Sequence, residues 1–399
     1  MNTPETESPL APLPLPAAKV PPARLHFLEG IRGLAAFYVT LGHANQQVGY
    51  FDMSHPLRLF TRSLKFGHYA VAVFIVLSGY CLMLPVARSA DGTLRGGFWP
   101  YIGRRARRIL PPYFFVLFAV LAVIALVPRL QEPSGILWDA TLGSLTTGSI
   151  VSHLLLVHNF DKEWVLKIDA PMWSVATEWQ IYFAFPLLLW AWRRHGMAAT
   201  VTAAFAVGYG IFFLSRETGG RPSVEACPWY LGLFALGMAA AHRSTHAAQA
   251  PAGGRVWPWG AAALAWGGAA LAFAVLERKS GVLDGAHIPQ RVFLDFFFGF
   301  ATACLIVMLA NATHPASQRR NPLLHVLESR PLMWLGSFSY TLYLVNDPLL
   351  AWMSIAMKDA GVADITRYCV TMGAGVPAVL GMSYLMYLAV ERRFLNRGK

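Results

Sequence analysis

Ten stretches of the chain are apolar over roughly the length a bilayer needs, about 20 residues for a helix, and the gaps between them are short. They run approximately over 28–48, 68–87, 111–128, 172–192, 198–215, 228–242, 256–276, 292–311, 334–357 and 368–390. The stretch 228–242 is the shortest, and a further apolar segment, 150–160, is too short to cross. A chain of 399 residues has the length for two or three soluble domains, but 55% of it is hydrophobic and only 14% charged. Soluble domains carry about 25% charged residues. The expected fold class is therefore an all-α integral membrane protein, one polytopic bundle of about ten transmembrane helices over 25–395. Residues 1–24, rich in Pro, Ala and Thr with no basic-then-apolar leader, read as a disordered cytoplasmic tail.

The net charge of +12 does not point to nucleic acid, because the basic residues sit in short loops between apolar spans, where topology places them. With the N-terminus inside, inner segments hold 19 of the 33 Lys and Arg and outer loops 13. Both termini are expected in the cytoplasm. Cys81, Cys227, Cys304 and Cys369 are scattered without CxxC spacing, so neither a metal site nor a disulfide framework is expected.

Ionisable residues inside a bilayer are costly and commonly mark a pathway or a reaction. The first span carries two, Arg32 and His43. Eleven residues apart, they are about 1100° apart around a helix, within roughly 20° of three full turns, and roughly 16 Å apart along its axis. They share one face. Glu178, between Trp173 and Trp179, falls in the first turns of another span. Asp347 precedes Pro348, where a helix break is expected, and Asp295 lies near a predicted span end and reads as interfacial.

Arg104, Arg105, Arg107 and Arg108 close the loop 88–110 and run into Ile109-Leu110-Pro111-Pro112-Tyr113. Two readings stand side by side. One is a stop-transfer cluster at a membrane edge; the other is a set of guanidinium forks for phosphates. Ser78-Gly79-Tyr80 invites a nucleophilic-serine reading, but Ser-Gly within a span reads better as a close helix–helix contact.

Taken together these pieces resemble the acyltransferase type 3 family of bacterial inner-membrane acyltransferases, from about Leu25 to Phe394. The resemblance rests on Arg32 and His43 with ten residues between them, on Phe74-Ile75-Val76-Leu77-Ser78-Gly79-Tyr80, and on Arg104 through Tyr113. It continues through Trp173 to Tyr182, Gly336 to Leu344, and Glu391 to Phe394. The family commonly has a second His where this chain has Asn346, which hydrogen-bonds but cannot take a proton.

The resemblance implies transfer of an acyl group, acetyl in the first instance, from cytoplasmic acyl-CoA to a hydroxyl of a glycan or small-molecule acceptor reached from the outer side. It implies His43 as general base or transient acyl carrier, with Glu178 orienting or charge-stabilising it. Arg32, Arg104, Arg105, Arg107, Arg108 and Tyr113 are implied in acyl-CoA binding. Trp173, Ser78, Tyr340, Tyr343 and Asn346 are implied in substrate binding. No metal is implied. His153 and His158, in the short outer segment, are candidates for lining an acceptor entrance. A proton-coupled transporter or flippase is the alternative, since such carriers also embed Arg, His and Glu. The two halves show no internal repeat, as many transporters do.

Overall fold

The structure, a computed structural model, describes residues 25–49, 57–89, 91–141, 145–217, 222–249, 257–313 and 321–395. The 1–24 tail lies outside the described residues. Among the described residues there is no strand, as expected of a chain whose backbone groups must pair within each segment in lipid.

Ten long helices make the bundle: α1 (Phe27–Val48), α2 (Gly67–Ala87), α3 (Phe98–Leu126), α4 (Met172–His195), α5 (Met197–Glu217), α6 (Tyr230–Gln249), α7 (Trp259–Ser280), α8 (Arg291–Ala312), α9 (Ser339–Asp359) and α10 (Asp364–Phe394). α10 contains two π-helical turns, Thr371–Gly375 and Tyr387–Glu391. Seven of the ten, all but α1, α4 and α9, are long and apolar enough to cross a membrane. The other three have 22, 24 and 21 residues but carry too many polar side chains to qualify on composition. The expected count of ten spans is thus shown for seven.

Three boundaries differ from the sequence reading. α3 begins thirteen residues before Pro111, with Pro100 in its first turn, where a missing N–H costs nothing, and it continues through Pro111 and Pro112. The arginine cluster therefore lies on a helix and not in a loop. The expected span 334–357 is divided: a short helix, Arg330–Ser337, ends at Phe338, where α9 begins. Asp347 and Pro348 lie inside α9, with no break there. The 150–160 segment forms a short helix, Thr147–Leu154, and a single 3-10 turn, His158–Phe160.

α2 and α6 form the centre, and two glycines let their backbones meet. A Cβ on Gly79 would lie 2.0 Å from the carbonyl oxygen of Phe234, and one on Gly237 would lie 2.0 Å from that of Val76. This is the close small-residue contact that helices use in membranes, where apolar burial alone gives little drive to associate. α7 sits at the periphery and exposes Leu264, Leu271 and Leu276, side chains that belong against lipid. Gly79→Val, which drives a branched side chain into backbone, is expected to cost on the order of 3 kcal/mol. A thermal-unfolding series in detergent will show a lower midpoint than for Ser78→Ala at the adjacent residue.

Candidate active site

Two cavities lie one above the other along α1. The first, of about 100 Å3, is lined by Arg32 of α1, Ser78 and Cys81 of α2, Arg105 and Arg108 of α3, Glu178 and Tyr182 of α4, and Tyr340 of α9. Three guanidinium groups against one carboxylate make it a site for an anion. Arg32 reaches Cys81 Sγ at 3.2 Å and Glu29 at 3.8 Å. Glu178 accepts from the Ser78 hydroxyl and, at 2.5 Å, from the Tyr182 phenol. It makes no bond to His43, so its expected role as partner of that imidazole is not what the geometry provides.

Of the four clustered arginines, the helix aims only two inward. Arg105 and Arg108, three residues apart, share the face that lines the cavity. Arg105 Nε is buried without a partner among the described residues. Arg104 donates to the carbonyl of Arg95, and Arg107 is exposed. Tyr113 lines neither cavity: it is fully buried, with its hydroxyl on the carbonyl of His153 at 2.9 Å. Tyr340 donates to the carbonyl of Ile109 just before the two prolines. Glu391, buried at the chain's end, holds the N–H and hydroxyl of Thr341 and so fixes the start of α9.

The second cavity, of about 200 Å3, is lined by His43 and Gln46 of α1, His68 of α2, Trp173 of α4, and Asp347 of α9, and is capped by Leu137, Ala140, Thr141 and Leu166 from the segment between α3 and α4. Here the orientation of His43 can be read from its partner. The Asn346 amide nitrogen donates to the carbonyls of Leu342 and Tyr343 at 2.8 and 2.9 Å. Its oxygen therefore faces His43 Nδ1, at 2.5 Å, and that nitrogen must carry the proton. Nε2 is left with its lone pair. Asp347 stands 3.9 Å from Nδ1 and is itself held by Gln47 at 2.8 Å.

Val71 and Tyr343 line both cavities and form the wall between them. The Tyr343 hydroxyl is bonded to that of Ser174 at 2.7 Å. Arg32 and His43 do lie along one side of α1, but they open into two chambers with a common wall and not into one continuous corridor.

Residues 25–387 match the acyltransferase domain family. The chain belongs to the acyltransferase type 3 family. It is 30% identical over 191 residues to the acyltransferase MdmB of Streptomyces mycarofaciens, covering 45% of this chain and 45% of that protein. It is 24% identical over 364 residues to the putative peptidoglycan O-acetyltransferase YrhL of Bacillus subtilis (strain 168), covering 84% of this chain and 50% of that protein. Protein 2 in the picA locus of Rhizobium radiobacter is 27% identical over 168 residues, covering 41% of this chain and 78% of that one. The chain spans about half the length of the first two relatives. No solved structure matches it. Several apolar helices and this membership make it a multi-pass membrane protein of that family.

Two features of this site were not legible as site residues. Asp295, read as interfacial, is fully buried. Its Oδ2 accepts from Trp229 Nε1 at 2.9 Å and meets His68 Nε2 at 3.0 Å. His68 in turn stacks on Trp173, the ring centroids 5.7 Å apart. No motif flagged His68, because it stands at the very start of an apolar span; a polar residue on the stripe that also carries Val71 and Ser78 was the available signal.

His153 and His158 do not line an entrance. Both are fully buried and stacked on each other, with ring centroids 3.8 Å apart. Burial pushes His153 down to about 4 and, together with His153, holds His158 well below the usual imidazole range. Nearby, burial and Asp347 hold the fully enclosed Asp169 carboxyl well above the usual carboxylate range. The folded state thus keeps the two imidazoles neutral while the unfolded chain protonates them near pH 6.5. Stability from the neutral imidazoles is complete above pH 6.5 and falls as pH drops below it, with His153 alone accounting for about 2 kcal/mol at pH 5. Between pH 7.5 and 4.5 the unfolding midpoint of the wild type should fall relative to that of a His153→Asn, His158→Asn double variant, which keeps Asp169 but lacks the two imidazoles.

Proposed function

We propose that this protein moves an acyl group, acetyl in the first instance, from cytoplasmic acyl-CoA to a hydroxyl of a glycan or small-molecule acceptor on the far side of the bacterial inner membrane, with both termini in the cytoplasm. The observation that carries the reading is that Asn346 takes Nδ1 of His43 and leaves the Nε2 lone pair free on a residue lining a chamber that shares a wall with an arginine-lined one.

The phosphates of the donor suit Arg32, Arg105 and Arg108, since guanidinium groups bind such oxygens in bidentate fashion. The first cavity lies toward the end of α1 where the chain starts, the end that the distribution of basic residues puts inside. From there the thioester would pass the Val71–Tyr343 wall to reach His43. At that point Nε2 takes up either the proton of the acceptor hydroxyl or the acyl group itself, and imidazole suits both tasks at neutral pH. Asp347 supports the positive charge that either step places on the ring. The O-acetyltransferase named among the relatives supports a glycan hydroxyl as acceptor.

His43→Ala is expected to abolish acylation with the protein still folded. Mass spectrometry of surface glycans and small secreted products, from cells with and without the gene and with this variant, should show one product lose the mass of one acyl unit. A variant that acylates at the wild-type rate would refute the role of His43. Arg105→Ala should raise the KM for the donor by about tenfold or more, the loss of one charge-assisted contact. Arg107→Ala, on the exposed face, should leave it nearly unchanged.

A further inference from the structure

A single displacement needs one base, yet the second cavity holds two imidazoles. His43 and His68 each follow a glycine, Gly42 and Gly67, at a close approach of α1 to the start of α2: a Cβ on Gly42 would lie 4.0 Å from Gly67 Cα. Both rings open onto the same space. His68 Nε2 meets Asp295 Oδ2 at 3.0 Å and the Tyr230 hydroxyl at 3.2 Å. A carboxylate has no proton to give, so Nε2 donates, and Nδ1 keeps a lone pair with no partner among the described residues.

If His68 served only to tie α2 to α6 and α8, Nε2 would suffice. The ring also lines the cavity and rests on Trp173, one turn from Val71 in the common wall. Its support differs in kind from that of His43. A buried carboxylate accepts directly from the His68 ring, the arrangement of a base oriented by a carboxylate. A neutral amide accepts from the His43 ring, with the carboxylate of Asp347 further off at 3.9 Å, which fixes the direction of a lone pair.

We propose that the two imidazoles divide the reaction: His43 receives the acyl group and His68 is the base that activates the acceptor. The proposal rests on the acyl-transfer reading above and sharpens it. In the first half, His43 Nε2 attacks the thioester carbonyl, the C–S bond breaks, and coenzyme A leaves as the thiolate. The acyl-imidazolium keeps its Nδ1 proton on Asn346, facing Asp347. In the second half, the acceptor hydroxyl gives its proton to His68 Nδ1 and its oxygen attacks the acyl carbon. The N–C bond breaks, the ester forms, and His43 is neutral again. His68 then releases its proton to water, which balances the proton the departing thiolate takes up, so acyl-CoA and alcohol become ester and free coenzyme A. Asp295 is a positioning residue that sets the tautomer of His68.

The test uses the full chain in detergent with acetyl-coenzyme A and isotope-labelled coenzyme A, without acceptor. Wild type is expected to exchange label into acetyl-coenzyme A. His68→Gln should retain the exchange, accumulate an acyl adduct on the peptide carrying His43, and lose alkali-labile acetate from the envelope of expressing cells by about a hundredfold or more, the usual contribution of a general base. His43→Ala should lose both. A wild type that acylates the envelope but shows no exchange overturns the division of labour and leaves the acyl-transfer function standing. A His68→Gln variant with envelope acetate close to wild type overturns it in the same way. A wild type that acylates nothing removes the underlying function as well.

Discussion

The contact between His43 and Asn346 joins residues 303 positions apart in the chain, and the site depends on it. α1 can reach α9 only because the segment before α9 packs against it through glycines. A Cβ on Gly33 would strike the carbonyl of Leu332, and one on Gly336 would strike that of Glu29. With the backbones that close, the amide of Asn346 is pinned at one end by two carbonyls and can offer His43 only its oxygen. A buried amide satisfied at both ends is a rigid reference point, whereas one left half-satisfied would carry a penalty of a few kcal/mol. Orientation, tautomer and the direction of the lone pair all follow from that pinning.

The cost of polar groups in lipid explains which helices build the chambers. α1, α4 and α9 are the long helices that are not apolar enough to count as spans, and they supply Arg32, His43, Trp173, Glu178, Tyr340, Tyr343 and Asp347. Each of these side chains turns inward, where a partner or a cavity meets it. Among the seven helices apolar enough to span, α5, α7 and α10 are the least buried and shield the rest. The polar residues that weaken the membrane signal of a helix are the same ones that give it chemistry to do.

Much of this was legible in the chain. The period of α1 placed Arg32 and His43 on one face, and the apolar runs located the long helices. What was not legible required a second element. Four arginines in five residues look equivalent until a helix through Pro111 and Pro112 turns Arg105 and Arg108 inward and Arg107 out. Glu178, near two tryptophans, gives no sign that its partners are Ser78 and Tyr182 and not His43. Asp295 near a span end looks interfacial until Trp229 and His68 close around it. Sequence spacing reports directions within one helix; partners between helices come only from packing.

The wall of Val71 and Tyr343 gives the two chambers a chemical logic. A thioester is stable to water on its own timescale, but an acyl group on imidazole is far more reactive. On the proposed reading, holding donor phosphates in one chamber and imidazoles in the other keeps the activated group away from the arginine-lined chamber. The asymmetry of the imidazoles then carries more weight than their number. At the position where the family commonly has a His, Asn346 cannot take a proton, and His68 of α2 supplies an imidazole from another helix. The late helix keeps the task an amide performs well, fixing the direction of a neighbouring ring. The proton falls to the ring that Asp295 supports directly.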